Sequence, residues 1–214
     1  MCAASLPKQT KPPTGRRARR KAHTRERIFR AALELFAAQG FAATTIEQIT
    51  EAAGVGKGTF FNYFPSKEHA LAAFGEMQLG KMDGVLADPQ TAHQPAGKVL
   101  RRMVGALAEE PGRSPALVRA LLGAVLSNPA ARELMQRNLQ RGRERLAEWL
   151  ASAQQRGEVR ADVSAAELAR VAQQAFFGTL LLWAIDSGGN LVDRLDAVVQ
   201  ALGPARVLPD AAPA

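Results

Sequence analysis

The chain is poor in the residue types that support disulfide, metal and redox chemistry. Its 214 residues include one cysteine, Cys2, so no disulfide can form within the chain and a reducing compartment is favoured. The three histidines, His23, His69 and His93, lack the spacing of a metal site, so we predict neither a metal nor a cofactor. The sequence also contains no glycine-rich phosphate loop, nucleophile elbow or metal-spaced ligand set. It therefore does not predict an enzyme.

Strand patterns and long apolar runs are missing as well. No alternation of apolar and polar residues reaches a useful length, so we expect an all-α fold. No apolar signal segment opens the chain, and Pro7, Pro12 and Pro13 interrupt any amphipathic targeting helix, so we expect a cytoplasmic protein. The apolar run at 175–185, AFFGTLLLWAI, is shorter than the about 20 residues that span a bilayer. We therefore expect no membrane partner.

Positive charge is abundant, but it is confined to one end of the chain. Residues 1–30 hold ten Lys and Arg side chains against one acid, Glu26, a balance of +9, so the rest carries −1 of the total +8. This distribution favours a partner that is a polyanion. Residues 1–22 lack apolar periodicity, and we expect a disordered arm. Two interpretations of the arm stay open: contact with DNA phosphates or the minor groove, or a solvated leader without a role.

Residues 44–68, TTIEQITEAAGVGKGTFFNYFPSKE, have the pattern of two short helices joined by a tight turn. Thr44 and Glu47 have the spacing of a capping box at the start of the first helix. Gly54 follows the last apolar position, where a left-handed residue ends a helix most easily. The apolar face of this helix comprises Ile46, Ile49 and Ala53. The layout predicts a helix-turn-helix, whose second helix enters the major groove of DNA.

The second helix of the motif is predicted at about residues 56–64. Phe60 and Phe64 are four residues apart and should face inward. A helix of this length is not stable alone, so its neighbours must hold it in place. The outward side chains are predicted to be Thr59, Asn62 and Tyr63. They are suited to contacts with phosphates or base edges.

The remaining sequence predicts further helices separated by Pro and Gly breaks. Ser66 is the predicted N-cap of a long helix that follows the motif, and Ser164 with Glu167 forms another predicted capping box. The predicted bounds are 24–39 for the first helix, 66–86 for the long helix, and then 96–109, 115–126, 129–156, 164–187 and 190–202. Residues 88–97 are predicted to form a loop that contains proline.

Residues 24–71 closely resemble the DNA-binding domain of the TetR family of bacterial transcriptional repressors. The resemblance is carried by RIFRAALELFAAQGF at 27–41, AAGVGKGTFFNYF at 52–64 and FPSKEHAL at 64–71. Two positions depart from the family: Gly56 stands where a capping hydroxyl is usual, and Phe61 where a tyrosine is common. The resemblance implies a helix-turn-helix domain at 23–82 with its motif at about 45–64. It also implies a larger helical effector-binding and dimerisation domain at 83–204 and a disordered tail at 205–214.

Applied position by position, the resemblance implies a set of residues at or near DNA. Lys57 and Thr59 would begin the groove-facing helix, Gly58 would leave room for the sugar-phosphate wall, and Tyr63 and Lys67 would hold phosphates. The alternative for Tyr63 is a packed aromatic ring, and the alternative for Phe61 is a side chain that shields the core. The full predicted set is Thr45, Gly56, Lys57, Gly58, Thr59, Phe61, Asn62, Tyr63 and Lys67.

The resemblance also implies a homodimer and a small-molecule effector. The run at 175–185 is apolar all round except for Gly178 and Thr179, so one face would serve the core and the other a second subunit. The alternative is a helix at the centre of a single core. Predicted dimer contacts are Phe177, Gly178, Leu181, Ile185, Leu195 and Val198. Predicted effector contacts are Met77, Met103, Leu107, Leu121, Leu122, Trp149, Phe176 and Trp183, all of which would otherwise be ordinary core residues. An apolar or aromatic effector is expected.

The predicted function is that of a ligand-responsive repressor in the bacterial cytoplasm, associated with the nucleoid when it is bound to a palindromic double-stranded operator. A promoter-bound activator of the same fold shares all of these features. A non-specific structural DNA-binding protein is a further alternative, but it would need basic charge over its whole body, whereas here the charge lies at one end.

Overall fold

The computed structural model of the protein describes residues 15–186 and 188–202. Within these ranges the chain is helical and contains no strand, which confirms the all-α prediction. The helices are α1 (Arg16–Gln39), α2 (Ile46–Ala52), α3 (Lys57–Phe61), α4 (Lys67–Leu86), α5 (Ala96–Ala108), α6 (Pro115–Ser127), α7 (Pro129–Gln155), α8 (Ala165–Asp186) and α9 (Leu191–Leu202). Two short 3₁₀ turns, Pro89–His93 and Pro111–Arg113, interrupt the loops on either side of α5.

Local capping chemistry explains why the later helices begin where the sequence predicted. The Ser114 hydroxyl accepts a hydrogen bond from the backbone N–H of Leu117 at 3.1 Å, and the Asn128 side chain accepts from the N–H of Ala131 at 3.0 Å. Each cap is followed by a proline, whose fixed φ suits the first helical position. The Ser164 hydroxyl likewise accepts from the N–H of Glu167 at 3.2 Å.

Helix α1 begins eight residues before the predicted start, at Arg16 rather than Thr24. The expectation of a disordered arm is therefore wrong for residues 16–22, while residues 1–14 and the whole of the predicted tail lie outside the described part of the chain. Arg, Lys and Ala are good helix formers, and a helix that is already nucleated by packing further along can extend into them one residue at a time. Apolar periodicity alone missed this extension because its residues do not pack.

One continuous core joins the helix-turn-helix domain to the rest of the molecule. Ile28, Phe36, Phe60 and Leu71 are completely buried in it, and each such side chain contributes about 1.5–3 kcal/mol by leaving water. The same core includes Leu117, Leu121 and Ala124 on α6, which packs against α1. The two domains therefore share apolar packing as well as the long helix α4.

Helix α8 corrects the argument about membrane spanning. The apolar run belongs to a helix of 22 residues, which by length and composition alone is long enough to cross a bilayer. The expectation from the sequence compared only residues 175–185 with the length of a bilayer span and left out the flanking residues of the same helix. The length of the whole helix therefore does not exclude a membrane span. In the structure α8 packs against α6, α7 and α9 and buries Leu180, Trp183 and Ala184 among them. Its packing, rather than its length, assigns it to the helical domain.

Candidate nucleic-acid interface and effector cavity

The capping box of α2 uses Thr45 and Gln48, not the predicted Thr44 and Glu47. The Thr45 hydroxyl accepts from the N–H of Gln48 at 3.2 Å, and the Gln48 side chain accepts from the N–H of Thr45 at 2.9 Å. Thr44 is completely buried and donates to the carbonyl of Gly40 at 2.8 Å, because the chain must close tightly after α1. Gln48 follows Thr45 at the same spacing as Glu47 follows Thr44, so this pattern could have been found in the sequence but was missed. Thr45 remains exposed at the N-terminus of α2, where backbone amides attract an anion.

The turn between α2 and α3 is a Schellman motif centred on Gly54. The N–H of Val55 donates to the carbonyl of Thr50 at 2.9 Å, and the N–H of Gly54 donates to the carbonyl of Glu51 at 3.0 Å. Gly54 has a φ of 61°, the left-handed conformation that was predicted for it. The guanidinium of Arg27 on α1 adds a hydrogen bond to the Gly54 carbonyl at 3.2 Å. These bonds fix the angle at which α3 leaves the turn.

Two phenylalanines hold α3 against the domain and leave its other face free. Phe60 and Phe64 are buried as predicted, with ring centroids 5.8 Å apart. Phe61 is 50% exposed and meets Phe60 edge-on, so it does not serve mainly to shield the core. The predicted DNA-contact residues on or beside α3 divide into exposed ones, namely Gly56, Lys57, Gly58, Phe61 and Asn62, and half-buried ones, namely Thr59 and Tyr63. The tyrosine ring packs against the core, in agreement with the alternative considered for it.

The ammonium of Lys57 forms an ion pair with the carboxylate of Glu47 on α2. The hydrogen bond from Lys57 holds the pKa of Glu47 below its usual range. Both side chains are exposed, so water and salt screen the pair and a phosphate can compete for the lysine. The pair therefore places a cation at the start of α3 without fixing it there.

Lys67 has a different environment from the one the sequence implied. Its ammonium donates to the carbonyls of Phe41 at 2.9 Å and Thr44 at 3.0 Å, with Ala42 at 3.4 Å, and lies 4.6 Å from the centroid of the Phe41 ring. An ammonium has three donors, so these carbonyls occupy its hydrogen-bonding capacity. In this structure the residue ties the start of α4 to the turn between α1 and α2, and phosphate binding by Lys67 has no geometric support.

A cavity of about 190 Å³ lies between α4, α5, α7, α8 and α9. Its wall is mostly aliphatic and aromatic, and it includes three of the predicted effector contacts: Met103, Leu107 and Phe176. The other five lie elsewhere, because their helices turn them into separate packing clusters. Met77 and Leu121 pack in the core shared with α1, Trp149 packs among α4, α5, α7 and α8, and Leu122 and Trp183 pack among α5, α6, α8 and α9.

Polar groups in the cavity wall come from α4, α7 and α8, and no pattern in the sequence indicated them. The amide nitrogen of Gln78 donates to the Leu107 carbonyl at 2.7 Å, whereas its oxygen is buried without a partner in the described residues. Asn138 donates to the Ala72 carbonyl at 3.1 Å, and Arg143 donates to Gln173 at 3.2 Å. An unpaired buried acceptor such as the Gln78 oxygen costs about 1–3 kcal/mol. A ligand that donates a hydrogen bond would remove this cost.

The predicted dimer residues fall into two groups. Gly178, Leu181 and Ile185 lie on an open face of α8, together with Leu182, and a methyl group built on Gly178 would meet no atom within 4 Å. Leu182 is 62% exposed and Ile185 is 69% exposed, which is unusual for aliphatic side chains this close together. Leu195 is buried in the chain's own core, which contradicts a dimer contact at this position, whereas Phe177 and Val198 are half-buried residues of the cavity wall and stay predictions.

Comparison with known proteins assigns the chain to a family. Residues 28–74 match the family model for bacterial regulatory proteins of the TetR family, and residues 96–199 match the model for a tetracyclin repressor-like C-terminal domain. The fold and its exposed helix-turn-helix therefore define a helix-turn-helix transcriptional regulator. The chain belongs to the TetR family.

Three relatives illustrate the range of similarity. Thermus thermophilus FadR, a repressor whose crystal structure is in complex with lauroyl-CoA, is 32% identical over 83% of this chain and 92% of that chain, with a TM-score of 0.63. Mycolicibacterium smegmatis EthR is 29% identical over 171 residues, which are 75% of this chain and 76% of EthR. Bacillus subtilis YerO is 39% identical over 90 residues, which span 40% of this chain but only 30% of YerO.

Proposed function

We propose that this protein is a transcriptional repressor that binds a palindromic operator as a homodimer and leaves it when an apolar effector enters the cavity. The observation that carries the proposal is the position of α4. Its first residue, Lys67, braces the helix-turn-helix, and its later residues form one wall of the cavity. A ligand that moves α4 would therefore also move the surface that contacts DNA. The repressor would act in the cytoplasm, where it would bind the DNA of the nucleoid.

The exposed face of α3 is the surface proposed to read the operator. Lys57 and Asn62 offer donors for phosphates and base edges, and the exposed ring of Phe61 suits the methyl group of thymine. The Thr45 hydroxyl oxygen accepts the capping hydrogen bond from the N–H of Gln48. Its proton is still available to be donated to a phosphate. The measurement is fluorescence anisotropy with DNA from upstream of the protein's own gene, against a random duplex of equal length. Equal affinity for the two would contradict operator recognition.

The open face of α8 is proposed to be the dimer interface. A short recognition helix reads few base pairs, so two copies related by a two-fold axis are needed for a specific site. Ile185→Glu would place a charge on this face, near the C-terminal end of α8, without disturbing the core of the protomer, because the side chain is already exposed. Light scattering should change from dimer to monomer, with unaltered circular dichroism. Leu126→Glu, at a side chain that is 75% exposed on α6, is the matched control and should remain dimeric.

The proposed effector has a long apolar body and a polar head. Sugar-like ligands need many polar partners, whereas this cavity offers few polar side chains, among them Gln78, Asn138, Arg143 and Gln173. The resemblance to Thermus FadR makes an acyl-CoA the first ligand to test. The cavity is smaller than the roughly 300–1,000 Å³ of typical ligand sites, so such a ligand would have to separate α4 from α5 and α7. The effector would then bind the separated conformation more tightly than the conformation that binds DNA. Release from DNA requires such a difference in affinity.

A filled cavity should uncouple the effector from DNA release. Ala172 lines the cavity, so Ala172→Leu should keep the affinity for DNA but weaken the response to lauroyl-CoA at least tenfold. The exposed position Ala166 on the same helix provides the control, Ala166→Leu. DNA binding that lauroyl-CoA and free laurate leave unchanged would rule out acyl effectors.

Deletion of the gene distinguishes a repressor from an activator. If expression of a reporter under the target promoter falls when the gene is deleted, the protein is an activator instead.

A further inference from the structure

The first part of α1 is a helix made almost entirely of basic and exposed residues. Residues 16–25 contain six Lys and Arg side chains, and the first acid of the chain is Glu26. Arg25 pairs with Glu76 of α4 at 3.0 Å. Among the described residues, the other five basic side chains form neither an ion pair nor a side-chain hydrogen bond: Arg16, Arg17, Arg19, Arg20 and Lys21. The first buried residue of the helix is Ile28, so this segment contributes nothing to the core.

The charges of this segment oppose its own helix. Cations lie at the N-terminal end, where the helix dipole is positive, and no acidic residue occupies the first turn. Arg16 and Arg20 are also four residues apart, a spacing at which like charges repel each other. Both effects destabilise the free helix slightly and would be relieved by a polyanion lying along it. A merely solvated helix has no need of such an arrangement.

The direction of the segment places one of its faces towards the helix-turn-helix. Arg16, Arg20, His23 and Arg27 follow each other at spacings of four, three and four, so they lie on one side of α1. The last of them, Arg27, reaches the carbonyl of Gly54 in the turn that leads into α3. The face continues for about 16 Å beyond this contact at 1.5 Å per residue. The face therefore runs along α1 away from the turn that precedes the recognition helix.

We propose that residues 16–23 are a second DNA-contact element, which binds backbone phosphates beside the site read by α3. The proposal rests on the proposed function only in taking DNA as the polyanion. Guanidinium groups suit this role because they hold phosphate oxygens through paired, charge-assisted hydrogen bonds. An anionic membrane is the less favoured partner, since residues 16–25 have no apolar face to enter a lipid surface.

The test is the salt dependence of DNA binding by the full chain with Arg16→Gln and Arg20→Gln combined. Each phosphate contact contributes about 0.9 to the slope of log K against log salt, so the slope should fall by about 1.8 per protomer. The matched control combines Arg137→Gln with Arg141→Gln, an exposed pair on α7 at the same spacing that removes the same charge. A second variant, with Arg16→Lys and Arg20→Lys, keeps the charge and should keep most of the slope.

The wild type and each variant are measured on upstream DNA and on a random duplex, so the inference can be separated from operator recognition. If the wild type binds both duplexes equally, the proposed repressor function fails, but a lower slope for the glutamine variant still supports the phosphate contact. An unchanged slope, or an equal fall in the α7 control, overturns the inference. So does a loss of binding to anionic vesicles with full retention of DNA binding. Circular dichroism checks that each variant is folded. We expect all of them to fold, because the substituted residues make no contact with the core.

Discussion

Gly58 offers a test in which stability and DNA affinity should change in opposite directions. It is the second residue of α3, it is exposed, and a methyl group added there meets no protein atom within 4 Å. Nothing inside the protein therefore requires glycine at this position. If α3 faces DNA as proposed, the space beside Gly58 belongs to the sugar-phosphate wall.

The expected size of each effect follows from this geometry. Alanine in a helix is more stable than glycine by about 0.5–1 kcal/mol, which should raise Tm by about 1–4 °C in a chain of this size. The same methyl group would push the phosphate away. Loss of one charge-assisted hydrogen bond costs about 1.5–3 kcal/mol, so affinity should fall roughly tenfold to a hundredfold per half-site.

The assay pairs thermal unfolding with anisotropy titration for Gly58→Ala and for Gly80→Ala. Gly80 is an exposed residue of α4 whose added methyl group also meets nothing within 4 Å. Both variants should be slightly more stable than the wild type, and only Gly58→Ala should lose affinity. Wild-type affinity in a stabilised Gly58→Ala protein would refute the orientation assigned to α3.

Three further substitutions test contacts that the structure revealed. Lys67→Ala removes two short bonds to carbonyls, so it should destabilise the protein by about 2 kcal/mol or more and lower Tm by about 4–8 °C. The salt slope of DNA binding should not change, and a fall of about one unit would restore the role of Lys67 as a phosphate contact. Gly75→Ala places a methyl group 2.5 Å from the Asn138 side-chain nitrogen, so it should break the bond to Ala72 and lower Tm, whereas Gly80→Ala raises it. Burial alone would raise the pKa of Glu68, but hydrogen bonds from Ser66, its own backbone and Asn128 outweigh burial and hold that pKa below its usual value. Its contribution to stability is therefore complete above the usual value and is lost as the pH falls through the lower folded value. Below pH ~4.3 the free energy of unfolding should accordingly fall more steeply with pH in the wild type than in Glu68→Gln. Parallel curves of this free energy against pH would count against stabilisation by the hydrogen bonds to Glu68.

Most of the helix bounds could be predicted, because helix ends depend on neighbouring residues. Ser114 with Pro115 and Asn128 with Pro129 cap their helices through bonds to residues three positions along the chain. The left-handed Gly54 follows equally local rules. The start of α1 was missed because apolar periodicity registers packing, whereas residues 16–22 form a helix without packing.

The candidate site was less predictable where it depends on long-range contacts. Thr45 and Gln48, and not Thr44 and Glu47, form the α2 cap, because the turn after α1 needs the Thr44 side chain inside. Five of the eight predicted effector contacts lie outside the cavity. Apolar residues of amphipathic helices look alike in sequence, and the rotation of each helix against its neighbours decides which of them reach a shared space.

The sequence by itself determined the helix-turn-helix, the all-helical class and the concentration of positive charge before residue 31, since each depends on residues close together in the chain. Only the tertiary structure decided that Lys67 braces the backbone carbonyls of Phe41 and Thr44, that Gln78 and Arg143 line the cavity, and that Leu195 lies inside. These assignments bring together residues that are far apart in the chain, such as Gln78 and Leu195 in the cavity wall. Local propensity carries no information about such pairs, whereas the packing of whole helices places them together.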